Sequence, residues 1–526
     1  MIAVLSSPEL NEIQPTAHQN PRPSFFTLHQ KSLILGGLLI VAVGLVHALN
    51  MHGWPGRVND DEGTYVAQAW AVVYRNSLAH YTYAYDHPPL GWIVIACYAW
   101  LTDGFARTST ALMVGREVML LTNLVSTGLI YLLARRLHLR RVFAAVVVIL
   151  FAFSPVALQY HRMVFLDNLA IAWALAALVF AATPRRSLAA AVGCGLTFGC
   201  AVLTKETIAI LLPVVIWTLV QHTDRHTRRW NLSVAGFLMF GVGFLYPLFS
   251  ILKNEFLEGP GHVSLLGAIW WQLFERAGSG SLLDSTSDTY LLARSWLELD
   301  PWLLAIGTVL IPAAFLVKGL RPVALALLLQ VAVMFRGGYL PYPYVICLLP
   351  FAALLIGGVA NSIWSIWRFA RPDAGSRHRA VRHSVGALAV LGACLVAYSA
   401  APGWAAVLRE STTADLSGPP MQATQWIERN VPKDAVIIVD DYVWPDLALR
   451  GYQNQIWSYK ADLDPEVRAT LLPAGWASAD YVALDEHADH TLDGLPTVVE
   501  VIEHSEVVAS FGEGQIVIRK VIKPRG

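Results

Sequence analysis

Three carboxylates stand side by side in the stretch VNDDEGTY: Asp60, Asp61 and Glu62. They come about ten residues after the apolar run LILGGLLIVAVGLVHAL, where a helix leaving a bilayer would surface. Neighbouring carboxylates repel one another, and each loses hydration near a low-dielectric interface, so the arrangement is costly. Two chemistries would justify it. One is a general base acting on a hydroxyl at the membrane surface. The other is a divalent-cation site held by Asp60, Asp61 and Glu62. Solvated loop charge is the plain alternative.

The elements that must position these acids are set by composition. The chain has 526 residues, 55% hydrophobic and 14% charged, against roughly 25% charged in soluble domains. It is therefore read as a membrane protein. Charge is uneven: residues 1–402 carry 28 Lys and Arg against 19 acids, and residues 403–526 carry 10 against 19. The basic residues are scattered between apolar runs, which gives no footprint for nucleic acid. The five cysteines stand singly, with no CxxC, as small buried side chains do. Residues 1–30 are polar and Pro-rich and are expected to form a cytoplasmic tail before a signal-anchor helix.

Apolar runs near 32–50, 112–134, 142–158, 164–183, 187–203, 206–220, 232–252, 301–317, 321–335, 342–364 and 383–401 predict about eleven transmembrane helices. The segment PPLGWIVIACYAWL (88–101) is apolar but short, and basic loop residues decide its status. If it does not cross, one set of loops holds 16 Lys and Arg in 45 residues and the other 9 in 125. If it crosses, the bias runs backwards. It is thus expected to be interfacial or re-entrant. The predicted fold is an α-helical polytopic membrane protein with a cytoplasmic N-terminus and a transmembrane domain over 31–402. External loops fall at 51–111 and 253–300, with interfacial helices in the first, and a small extracytoplasmic α/β domain occupies 403–526.

Near the external ends lie cations that could hold an anion: Arg116, His161, Arg162, Lys205 and Arg336. Snorkelling explains Arg162 and Arg336 equally well, an ion pair with Glu206 would explain Lys205, and Arg116 with Glu117 could lock two helices. Asp167 opens a span in FLDNLAIAW, in a structural or ligand-contacting role. Tyr339 and Tyr344 in RGGYLPYPY could line a lipid groove or form an aromatic belt. His222 and His226 fall on the cytoplasmic side.

Taken in order, DDEGTYVAQAW, YDHPPLGW, GREVML, SPVALQYHRMVFLDNLAIAW and LTKETI resemble the polyprenyl-phosphate-sugar-dependent C-type glycosyltransferases, which include protein O-mannosyltransferases and aminoarabinose transferases. Asp61, Glu62 and Tyr65 match the first motif. Asp86, His87, Pro88, Pro89, Leu90 and Gly91 match the second, with His87 where the family often has Lys. The resemblance covers roughly 30–365. It implies a polyprenyl-phosphate sugar as donor, a protein, lipid or glycan acceptor, transfer with inversion, and Asp61 as base, with Asp60 as an extra acid beside it. Arg116, His87, Arg162, Lys205, Arg336, Tyr339 and Tyr344 are its candidate contacts to the donor phosphate and lipid, with Tyr65, Asp86 and Asp167 nearby. No cofactor is certain, and the divalent cation stays open. A cell-envelope role in a bacterial cytoplasmic membrane follows from the resemblance.

A lipid or sugar transporter, or flippase, is the second reading. It accounts for the spans and the intramembrane charges but gives the first-loop acids no task, and no internal repeat supports it. A membrane-anchored binding domain is the third, and eleven spans exceed what an anchor needs.

Overall fold

The computed structural model describes residues 25–56, 61–183, 187–259, 262–369, 376–485, 492 and 494–523. Helix dominates the described residues before about residue 414. Five helical stretches are long and apolar enough to cross a membrane: Gln30–Ala48, Ala111–Arg136, Arg228–Leu252, Tyr342–Arg368 and one within Gly386–Asn430. Five shorter apolar helices accompany them, Leu90–Thr102, Arg141–Phe153, Leu166–Ala181, Leu188–Thr204 and Glu206–His222. With Leu38, Leu45, Trp230, Phe237, Phe240 and Leu391 exposed on its flanks, the chain is a multi-pass membrane protein.

Small residues let these helices approach. In LAAAVGCGLTFGCAVLT (Leu188–Thr204), Gly195 faces the backbone of Ala235 on Arg228–Gly243. A Cβ at Gly195 would meet the Ala235 carbonyl oxygen at 2.5 Å. Close backbone contact of this kind replaces the hydrophobic drive that lipid removes.

Three early helices frame the acids: α1 (Phe25–Ala48), α2 (Asp61–Arg75) and α3 (Leu90–Thr102). Helix α2 begins at Asp61 and buries Tyr65, Val66, Ala69 and Trp70. Thirteen residues make α3 about 20 Å long, short of the hydrocarbon thickness of about 30 Å. Its inner face is Trp92, Ile95, Ala96 and Ala99, and Trp100 and Leu101 stay exposed.

Some expected spans are broken. The run at 301–317 is two short helices, Leu303–Val309 and Ile311–Leu316, parted just before Pro312. The last apolar helix, Ser376–Thr413, continues through Pro402, so the expected boundary at 402 falls inside it. Proline is tolerated in membrane helices where neighbouring groups re-satisfy the backbone.

Beyond this helix lies a five-stranded sheet: β1 (Ile437–Val439), β2 (Gln455–Trp457), β3 (Tyr481–Asp485), β4 (Ser505–Phe511) and β5 (Ile516–Val521). Their order is β2-β1-β3-β5-β4. β1 runs parallel to both neighbours, Ile438 pairing with Ile456 and Val482, and the remaining pairs are antiparallel. The pleat splits the side chains of β1. Ile437 and Val439 join the apolar cluster that continues into the membrane helices, and Ile438 joins a separate cluster with Val498 and Val501. A central parallel strand covered on both faces explains the unbroken AVIIV.

Candidate active site

Two breaks in the helical run create the site. Leu188–Thr204 ends at Lys205, whose backbone is extended (φ −154°, ψ 121°), and a 3₁₀ turn starts at Glu206. Opposite, the chain turns through Tyr160–Phe165 into Leu166–Ala181. Asn168 fixes that turn, donating to the carbonyls of Tyr160 and Met163 at 3.0 and 3.1 Å and meeting His161 Nδ1 at 2.8 Å. Lys205 and Asp167 therefore meet with the Nζ 2.8 Å from Oδ2, both almost wholly out of water. One of three ammonium donors goes to Asp167, which leaves two for another partner.

His87, in the loop before α3, approaches Glu206 with Nδ1 3.1 Å from both carboxylate oxygens. Burial disfavours the imidazolium and Lys205 adds to this, but Glu206 and Asp61 outweigh them. The His87 pKa is raised above the ordinary 6.5. Asp86 beside it is exposed. The Tyr65 ring lies 6.3 Å from the His87 ring. Tyr65 is 2% exposed, and its hydroxyl finds no hydrogen-bond partner among the described residues. A buried hydroxyl left so costs about 1–3 kcal/mol.

Asp61 is half-buried at the head of α2. Its charge acts on Tyr65, His87, Asp167, Lys205 and Tyr339. Groups from five separate segments thus share one electrostatic neighbourhood. Glu62 differs completely from its neighbour. It is 1% exposed, accepts the Val164 N–H at 2.8 Å and sits 3.6 Å from Arg116. Asp60 lies outside the described residues. Among those described, no group of three or more His, Cys, Asp or Glu side chains is spaced to hold a metal ion.

Several sequence candidates stand elsewhere. Arg116 is buried and donates to the carbonyls of Met51 and Pro55 at 2.9 Å. Its neighbour Glu117 pairs instead with Arg107 and accepts from the Tyr98 hydroxyl, so the expected Arg116–Glu117 lock is not formed. Arg162 donates to the carbonyls of Val46, Leu49 and Ser411 and lies over the Trp54 ring, closing the ends of α1 and Ser376–Thr413. Tyr344 is buried with its hydroxyl on the Gln330 carbonyl at 2.9 Å. Arg336 is exposed and curls against Gly338. The Lys205–Glu206 pair is replaced by Lys205–Asp167 and His87–Glu206, because consecutive residues at an extended break point apart. Sequence reading missed Arg276, whose guanidinium stacks 3.3 Å from the centre of the Tyr339 ring. No motif marks it.

Residues 86–250 match the family model of dolichyl-phosphate-mannose-protein mannosyltransferase. No curated protein matches the sequence. Among solved structures, ArnT from Cupriavidus metallidurans bound to undecaprenyl phosphate is similar at 17% identity and TM-score 0.58, over 94% of this chain and 98% of that one. The apo form of the same protein gives 17% and 0.58, over 92% and 97%. The Archaeoglobus fulgidus oligosaccharyltransferase in complex with Zn and sulfate gives 15% and 0.55, over 90% and 72%. Over nearly its whole length the chain shares the fold of these structures, and residues 86–250 carry the family match. The matched segment contains His87, Asp167, Lys205 and Glu206, and the first-loop acids precede it.

Removing one member of a buried pair strands the other. Asp167→Ala is expected to destabilise the protein by about 3–5 kcal/mol, and Asp167→Leu with Lys205→Met to recover most of that loss. Thermal unfolding of the full chain in nanodiscs checks it. Equal stability of the single and double variants would refute the pairing.

Proposed function

We propose that this protein is a membrane glycosyltransferase that moves a sugar from a polyprenyl-phosphate donor to an acceptor hydroxyl on the extracytoplasmic side, with inversion and with Asp61 as the base. The observation that carries the reading is the shared neighbourhood of Asp61, His87, Lys205, Asp167 and Tyr65, assembled from separate segments. The fold likeness to an undecaprenyl-phosphate-bound ArnT over nearly the whole chain supports the donor class.

The chemistry follows from the two acids. Glu62 is held by Arg116 and a backbone N–H, so it supports the loop and is turned away from an acceptor. Asp61 keeps partial exposure, which suits a group that must meet a hydroxyl. The acceptor O–H loses its proton to Asp61 as its oxygen bonds to the anomeric carbon. The sugar–phosphate bond breaks on the opposite face, and its electrons go to the phosphate oxygen. The spare donors of Lys205, the free edge of His87 and the Tyr65 hydroxyl offer that anion hydrogen bonds. Lys205→Ala is therefore disruptive twice over, to the anion and to Asp167. The sugar could be a hexose or a pentose, since none of these contacts distinguishes them.

The decisive test is single-turnover transfer from a panel of undecaprenyl-phosphate sugars in nanodiscs. Asp61→Asn keeps the shape but cannot accept the proton, so turnover should fall about 10²- to 10⁴-fold while undecaprenyl phosphate still binds. Normal turnover in this variant removes Asp61 from the chemistry.

Sidedness rests on the bias of 16 basic residues in 45 against 9 in 125. Lys433→Cys, in a background lacking native cysteines, should react with an impermeant maleimide on intact cells. Reaction only after lysis would reverse the topology and put the acids inside.

His87 is cationic below its raised pKa and neutral above it. Its help to a phosphate is thus fully present at low pH and lost as pH rises through a value above 6.5. The Kd for undecaprenyl phosphate should weaken between about pH 6 and pH 9 in the wild type. His87→Lys, cationic throughout, should flatten that slope; an equally steep slope would exclude His87.

A further inference from the structure

The C-terminal domain holds its sheet in a way that usually marks a ligand edge. β1 is flanked on opposite sides by parallel β2 and β3. In open sheets of this kind the crevice lies outside the carboxyl ends of the strands, where successive connections part. The chain leaves β1 there as Asp440, Asp441 and Tyr442. Asp440 closes part of that edge, accepting the Asp485 N–H at 2.9 Å from the end of β3.

Asp441 reaches out of the domain. It is fully buried, and its Oδ2 accepts both the Thr64 N–H at 2.7 Å and the Thr64 hydroxyl at 2.8 Å. Thr64 lies in the first turn of α2, where backbone N–H groups lack acceptors within the helix and the dipole favours an anion. Packing confirms the closeness. A Cβ on Gly63 would lie 2.3 Å from the Asp441 carbonyl carbon and the Tyr442 nitrogen, so only glycine fits.

The same segment grips a second helix. Asp446, buried, accepts the Ala111 N–H at 2.6 Å, at the start of the helix carrying Arg116, which in turn holds Glu62. Trp444 adds an apolar anchor, edge-on to Trp70 of α2 with ring centres 5.4 Å apart. The crevice of the sheet is thus filled by the opening turn of the helix that begins with Asp61.

From this we infer that Asp441 is a positioning residue: it fixes the first turn of α2 and, through it, the carboxylate of Asp61. The inference rests on the reading of Asp61 as base. It gives the C-terminal domain a task in the reaction, as the rigid wall against which the base is set. Small displacements of a reacting group cost rate far more than affinity.

The test uses the full chain in nanodiscs, with Asp441→Ala, Asp441→Asn, Gly63→Ala and Asp61→Asn beside wild type. Undecaprenyl phosphate binding reports the donor site, and single-turnover transfer from the active member of the sugar panel reports the chemistry. Asp441→Ala should keep its Kd within about threefold and lose rate by about tenfold or more. Asp441→Asn, whose amide oxygen can still accept from Thr64, should recover most of the rate. A wild-type rate in Asp441→Ala overturns the inference. Should Asp441→Ala fail to fold, Gly63→Ala decides: it leaves Asp441 intact, and a tenfold loss upholds the inference where a normal rate overturns it. Normal turnover in Asp61→Asn would instead sink the base assignment, and a loss confined to the Asp441 and Gly63 variants would still uphold the domain's hold on α2.

Discussion

Lys205 and Asp167 meet 2.8 Å apart with almost no contact with water, and much of the site depends on that pair. A lone ammonium at this depth would be prohibitively costly, and so would a lone carboxylate. Their pairing requires the helix ending at Thr204 and the helix starting at Leu166 to stop at the same level. That shared level brings Glu206 within reach of His87, and it leaves Lys205 two donors beyond the one given to Asp167. A buried pair is weak evidence for stability, but it is a strong constraint on register between helices.

The other buried cations obey the same constraint with a different outcome. Arg116 and Arg162 have planar, branched donors, and each gathers backbone carbonyls at a helix end or in the loop after α1. Such carbonyls would otherwise lack partners near the bilayer surface. These arginines hold the frame on which the first loop rests. Lysine, with a single compact charge on a flexible stem, can hold one carboxylate and still turn toward a ligand. The residue types sort the cations by role more sharply than their shared position at span ends does.

Much of this was legible in the sequence, because the signals were strong and local. Long apolar runs, the acid cluster and the alternation in the tail led to a polytopic membrane protein with a small α/β domain, and the ordered motifs led to a resemblance that the family match over residues 86–250 supports. What escaped reading was long-range. That Glu117 would turn to Arg107, that Lys205 would choose Asp167 over its neighbour, and that Arg276 would stack on Tyr339 depend on where helices break. Pro402 looked like a boundary, yet the helix carries on through it to Thr413. No periodicity marks Asp441, since VDDYVWPDL reads as an ordinary strand followed by a turn.

The acid knot itself resolves by burial. Of two consecutive carboxylates at the head of one helix, successive side chains point about 100° apart, so they must enter different surroundings. Glu62 turns inward and is held by Arg116 and the Val164 N–H; Asp61 stays half-buried, and its charge acts on His87, Lys205 and Tyr339. The first is a structural anion whose loss would strand an arginine, and the second keeps partial exposure. On the proposed reading an acidic pair is called for at this point, because the same turn is anchored to the helices beneath it and open to an acceptor hydroxyl. One carboxylate could not be fully neutralised and still serve as a base.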